Sequence, residues 1–139
     1  MTPSTPTLDS ERLARLYFER FSEHSIEGLA ELIHPDVVLE LQAVEVGRVL
    51  RGRGELLQFF EAQFVRRRWW AVVQACHSIG NDKAVVEGRV RWIDDERVLR
   101  DDPRVWALEF CDGLLVRSIP ARSVAEAEAL LAAPSKRTA

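Results

Sequence analysis

Apolar residues recur at helical spacing from residue 9 to residue 22, where Leu13, Leu16, Tyr17 and Phe21 share one side. Glu11, Arg12, Arg15, Glu19 and Arg20 fall mostly elsewhere, and Asp9 or Ser10 is placed to cap the helix. A second, shorter helix is predicted from Ser25, with Ile26, Leu29, Ala30 and Ile33 on its inner face. Pro35 is expected to end it, because proline disfavours helix at the residue before it. Residues 37–44 then move toward alternation and β-branched side chains, which predicts a strand. Gly47, Gly52 and Gly54 punctuate a hairpin-like connection. Residues 55–64 return to helix, with Leu56, Leu57, Phe59, Phe60 and Phe64 on a wide apolar face.

Four strands follow. The first covers residues 69–79 and the second 84–93, separated by the turn Gly80-Asn81-Asp82. Asp101-Asp102-Pro103 reads as a breaker before a strand over 104–110. Asp112-Gly113 is a strong hairpin signal leading to a last strand over 114–119. Ser123 with Glu126 forms a capping box for a final Ala-rich helix ending near Ala133. Consecutive strands with tight turns pair antiparallel, and helices gathered early argue for α+β rather than alternating α/β. The chain reads as one domain over residues 8–133, between a tail at 1–7 and a polar tail at 134–139.

Composition narrows the class. The 139 residues are 47% hydrophobic and 29% charged, enough apolar content to support a folded core. A formal charge of −3 lacks the basic excess of a nucleic-acid binder, since Arg66-Arg67-Arg68 is only local. No apolar run is long enough to span a bilayer, and the N-terminus has no charged start or apolar core of a secretion signal. A cytoplasmic protein is therefore expected. Cys76 and Cys111 lie in apolar, strand-like runs and read as buried free thiols, with a disulfide open only if the fold joins them. His24, His34 and His77 are not spaced as metal ligands, and neither a phosphate loop nor a nucleophile elbow is present. No metal and no cofactor are expected. His34-Pro35-Asp36 also matches a J-domain tripeptide, but a strand-like run follows it where that reading needs a helix.

Four stretches together resemble the SnoaL-like branch of the nuclear transport factor 2-like superfamily. They are Ser25-Ile26-Glu27-Gly28-Leu29, His34-Pro35-Asp36-Val37-Val38-Leu39-Glu40, the run from Val49 to Leu56 around Gly52-Arg53-Gly54, and Phe110-Cys111-Asp112-Gly113-Leu114-Leu115-Val116-Arg117. The resemblance covers residues 8–131. It implies a curved sheet forming a cone, a pocket between the concave sheet and the helices, and a homodimer built through the sheet. A long, Trp-rich apolar sheet that few helices can cover points to a homodimer as well. The superfamily hosts isomerases, cyclases, hydrolases and binding proteins, so the fold alone does not decide function.

The resemblance also implies particular positions. Tyr17 falls where ketosteroid isomerases place an oxyanion-stabilising tyrosine. Leu41 falls at the general-base position and cannot accept a proton. Trp106 falls near the second oxyanion donor, where an indole N–H can donate but cannot act as an acid. The epoxide-hydrolase pattern keeps Arg89, but Arg91 replaces its aspartate and Pro120 stands at its last-strand carboxylate. Neither chemistry is retained whole.

Several residues carry two readings. Tyr17 is a core tyrosine or a pocket donor. Trp69, Trp70, Trp92 and Trp106 serve core and interface packing, or sandwich a flat ligand. Glu87, Arg89 and Arg91 share one strand face, which is solvated or else points into the pocket, where the arginines, joined by Arg122, would favour an anion. Glu45 and Glu109 are the plausible carboxylate bases. The expected function is a pocket for a small organic molecule in a homodimer, either a cofactor-free isomerase, cyclase or hydratase with Tyr17 as donor, or a non-catalytic binding or dimerisation module.

Overall fold

The computed structural model of the chain describes residues 9–40, 49–66 and 68–132. The first helix, α1 (Ser10–Ser22), starts at Asp9, whose side chain accepts a 2.9 Å hydrogen bond from the Arg12 N–H. α2 (Ile26–Ala30) starts the same way, with Ser25 Oγ accepting from the Gly28 N–H at 3.0 Å. Next come β1 (Ile33–Glu40), β2 (Val49–Arg51), α3 (Arg53–Arg66), β3 (Trp69–Ile79), β4 (Lys83–Ile93), β5 (Leu99–Cys111) and β6 (Leu114–Ala121). The last helix, α4 (Val124–Ala132), is capped as expected by Ser123 Oγ, which accepts from the Glu126 N–H at 3.1 Å. Asp112 and Gly113 both adopt positive φ, 55° and 79°, as a tight hairpin turn requires.

The six strands form one curved, unclosed sheet in the order β2-β1-β6-β5-β4-β3. All neighbours pair antiparallel except β1 and β6, which run parallel, so the sheet is mixed rather than antiparallel throughout. Each face has its own cluster of buried residues. On the concave side, Leu13, Tyr17 and Phe18 of α1 and Leu56 and Phe60 of α3 pack on Leu39, Val86, Leu108 and Phe110. On the convex side, Ala127 and Leu131 of α4 cover Val85, Ala107 and Ile119.

Two prolines act differently from their sequence readings. Pro35 lies inside β1 rather than ending a helix, and Ile33, expected on a helix face, pairs with Leu115 of β6. The β1–β6 register shifts between Ile33 and Val38, so the missing proline N–H falls at an irregularity that needs no donor. Pro103 lies inside β5 rather than before it. It pairs with Arg89 of β4 at a point where β6 has already ended opposite Val105, so β5 has only one neighbour there.

The open edge of β3 is occupied by side chains from the end of α1. Ser22 Oγ accepts from the Ala71 N–H at 2.9 Å and lies 3.2 Å from the Ala71 carbonyl, while His24 Nε2 lies 2.7 Å from the Trp69 carbonyl. These contacts meet backbone groups that an edge strand otherwise exposes. They also hold α1, and with it Tyr17, against the concave face.

Candidate binding pocket

Between the concave face and the two longer helices lies a cavity of about 150 Å³, open at one end. An apolar cavity of this size is on the scale that accepts one benzene-sized ring. Its walls are rich in aromatic side chains: Phe18 and Phe21 from α1, Phe59 and Phe60 from α3, Trp69 from β3 and Trp106 from β5. Phe18 bridges the layers, with its ring 5.0 Å from Tyr17 and 4.5 Å from Trp106.

Strand alternation decides which side chains reach this space. On β5, Arg104 and Trp106 line the cavity, whereas Val105 and Ala107 pack on the convex side. On β6, Ser118 and Pro120 line it, whereas Ile119 faces α4.

Tyr17 and Ser118 supply the deeply placed polar groups, each only 4% exposed. Neither hydroxyl has a hydrogen-bond partner among the described residues, and neither oxygen is fully enclosed, so both open into the cavity that their residues line. Burial pushes the Tyr17 phenol well above its ordinary pKa, so the hydroxyl keeps its proton and remains a donor. Arg104 is more open, with a side chain 18% exposed. Its Nη1 lies 3.4 Å from Asp102 Oδ2 and 3.5 Å from the Pro103 carbonyl. Gln63 and the exposed Glu40 complete the polar lining.

The structure brings Tyr17 and Trp106 together and turns other expected residues away. Glu87, Arg89 and Arg91 do share a face of β4, but it is the convex one, opposite to the face that carries Val86 and Val90. There Asp101 Oδ1 lies 2.7 Å from Arg89 Nε and 3.4 Å from Arg91 Nε, and Glu87 Oε2 lies 2.8 Å from His77 Nε2. Glu109 is convex too, 3.6 Å from Arg117 Nη1, and Arg122 is exposed just beyond β6, outside the cavity lining. Leu41 and Glu45 lie outside the described residues. Pro120 does face the cavity, so a hydrolase-type carboxylate is missing from a position that reaches the site.

Ser118, Arg104 and Gln63 were not anticipated as lining residues. Ser118 is a lone hydroxyl inside an apolar strand run, and Arg104 shares the parity of Trp106, Leu108 and Phe110. Those two signals could have found them. Among the described residues, no group of three or more His, Cys, Asp or Glu is arranged to hold a metal ion. No helix among them is long and apolar enough to cross a membrane.

The profile of the SnoaL-like domain matches residues 14–118, which hold most of α1, the sheet except the end of β6, and the cavity lining up to Ser118. The chain belongs to the SnoaL-like domain family. No curated protein matches the sequence. Solved structures share its fold at low identity. A Δ5-3-ketosteroid isomerase from Mycobacterium sp. is 16% identical with a TM-score of 0.69, covering 82% of this chain and 92% of that one. A Mycobacterium tuberculosis protein in complex with estradiol-17beta-hemisuccinate is 15% identical with a TM-score of 0.70, covering 82% and 93%. A protein of ketosteroid isomerase-like fold from Catenulispora acidiphila, in complex with trimethylamine, is 12% identical with a TM-score of 0.70, covering 96% of each chain. This SnoaL-like chain therefore has the nuclear transport factor 2-like, cystatin-like fold.

Proposed function

We propose that this SnoaL-like domain binds a small cyclic organic molecule in the aromatic cavity, with the Tyr17 hydroxyl donating a hydrogen bond to it. The observation that carries the reading is the pair of hydroxyls, Tyr17 and Ser118, on largely buried residues, without protein partners and opening into a mostly apolar space. A ligand oxygen placed between the walls would give these donors an acceptor where few waters fit. Solved proteins of the same fold hold a steroid ester and trimethylamine, which supports a ligand-holding role for the cone.

Binding without turnover is the favoured form. Enolisation or hydration needs a base, and Glu40 is the only carboxylate among the described lining residues, exposed at the end of β1. The isomerase, cyclase or hydratase form keeps Tyr17 as donor and takes Glu45, in the segment after β1, as base. The test is Tyr17→Phe, measured for both affinity and melting temperature against a panel of cyclic ketones, phenols and aromatic acids. Weaker binding with an unchanged melting temperature supports the pocket role. Unchanged affinity with a lowered melting temperature makes Tyr17 a core residue and contradicts it.

The domain is further proposed to work as a homodimer in the cytoplasm. Trp70 and Val72 stand on the convex side of β3, and α4 packs on β4, β5 and β6 instead. A second copy would cover that apolar strip. Sedimentation showing only monomer at micromolar concentration would contradict it.

A further inference from the structure

We infer that the cavity selects an anionic ligand, a flat aromatic ring carrying a carboxylate or similar oxyanion, and that Arg104 is the residue that reads the charge. The inference rests on the ligand-binding reading above and goes beyond it by naming the ligand class. Arg89, Arg91 and Arg122, the arginines that sequence spacing offers for this role, do not line the cavity; Arg104 does.

The guanidinium of Arg104 is only partly committed. Both of its protein contacts, to Asp102 at 3.4 Å and to the Pro103 carbonyl at 3.5 Å, use Nη1 and are long. Nε and Nη2 make no hydrogen bond among the described residues. A planar fork of N–H donors on the wall of an aromatic cavity matches the two oxygens of a carboxylate. Its side chain is 18% exposed while that of Asp102 is 48% exposed, so Asp102 is largely solvated and the arginine is the less hydrated partner.

The remaining polar lining points the same way. Tyr17 and Ser118 each offer an O–H, and Tyr17 keeps its proton, so the groups at depth can donate to a ligand oxygen. Glu40 also lines the cavity and opposes an anion, but it is exposed at the end of β1, where water screens it. The volume of about 150 Å³ takes one ring, and the open end leaves room for a second. A two-ring acid fits this description better than a bulky neutral molecule.

The test uses three probes of one shape and different charge: 2-naphthoate, 2-naphthamide and 2-naphthylmethylammonium. Each is titrated at neutral pH and followed by the indole N–H signals of Trp69 and Trp106, which line the cavity, against that of Trp70, which does not. The carboxylate is expected to bind about 10-fold tighter than the amide, with the ammonium weakest. Arg104→Gln should abolish that preference, and Arg104→Lys, which keeps the charge but loses the fork, should fall between. Equal binding of acid and amide, a preference that survives Arg104→Gln, or tightest binding of the ammonium would each overturn the inference while leaving the pocket intact. If no probe moves the Trp69 and Trp106 signals, the ligand-binding reading itself fails, and the inference with it.

Discussion

Glu109 Oε1 and Arg117 Nη1 stand 3.6 Å apart on neighbouring strands, on the face of the sheet that turns away from the cavity. Their side chains are only 16% and 15% exposed, so each charge depends on the other. Glu109→Gln leaves a mostly buried guanidinium without its counter-charge. We expect a stability loss of about 1–3 kcal/mol with ligand affinity unchanged, read by denaturant unfolding and titration of the same variant. The opposite pattern would make Glu109 a site residue after all.

Tyr17 is the only tyrosine in the chain, so alkaline difference absorbance reports on it alone. Burial raises its pKa, and the stability linked to it is full below about pH 10, the unfolded value, and is lost as pH rises toward the folded value. The phenolate signal should therefore appear only together with unfolding. A reversible titration near pH 10 in the folded protein would mean that the hydroxyl is solvated.

Asp94 closes the turn between β4 and β5. Its Oδ1 accepts 2.9 Å bonds from the Glu96 and Val98 N–H groups, and its Oδ2 lies 2.8 Å from Arg100 Nε. The backbone bond from Val98, then Arg100, holds its pKa below the ordinary carboxylate value. The linked stability is present above about pH 4, the unfolded value, and fades as pH falls through the lowered folded value. Protection of the Val98 amide against hydrogen exchange, taken relative to its intrinsic rate at each pH, should fall over that acidic range. Asp94→Asn should remove that change in protection, and a protection that stays constant with pH in the natural protein would contradict the account.

Gly88 sits opposite Val73, where the β3–β4 register shifts before Ala75. A Cβ there would collide with the Val72 carbonyl oxygen and press on Val73 Cα at 3.3 Å. Gly88→Ala is therefore expected to destabilise by about 2 kcal/mol or more, because backbone rather than a flexible side chain has to move. A melting temperature within about 1 °C of the natural protein would show that the bulge relaxes freely.

Features set by local chemistry could be read from the sequence. The caps at Asp9, Ser25 and Ser123, the Asp112-Gly113 turn and the bounds of β3 each depend on a few adjacent residues. Tyr17 and Trp106 became pocket candidates because several stretches resemble one family in the right order, and both do line the cavity. What depends on distant partners was not legible. The alternation of Glu87, Arg89 and Arg91 shows that they share a face, but which face is convex depends on where α1 and α4 dock. Pro103 looked like a boundary because its single-neighbour position exists only once β6 has ended. Arg104, the first residue of the expected strand, shares the parity of Trp106, but that this parity faces the cavity depends on where α1 docks.

The central claim is that the cavity between α1 and the concave sheet holds the ligand, and intermolecular nuclear Overhauser effects from a bound aromatic probe test it most directly. The account predicts contacts from the probe ring to Tyr17, Phe18 and Trp106, which line that space. Contacts to Trp70 or Val72 on the convex side of β3, with none to Tyr17 or Trp106, would place binding on the other face and contradict it.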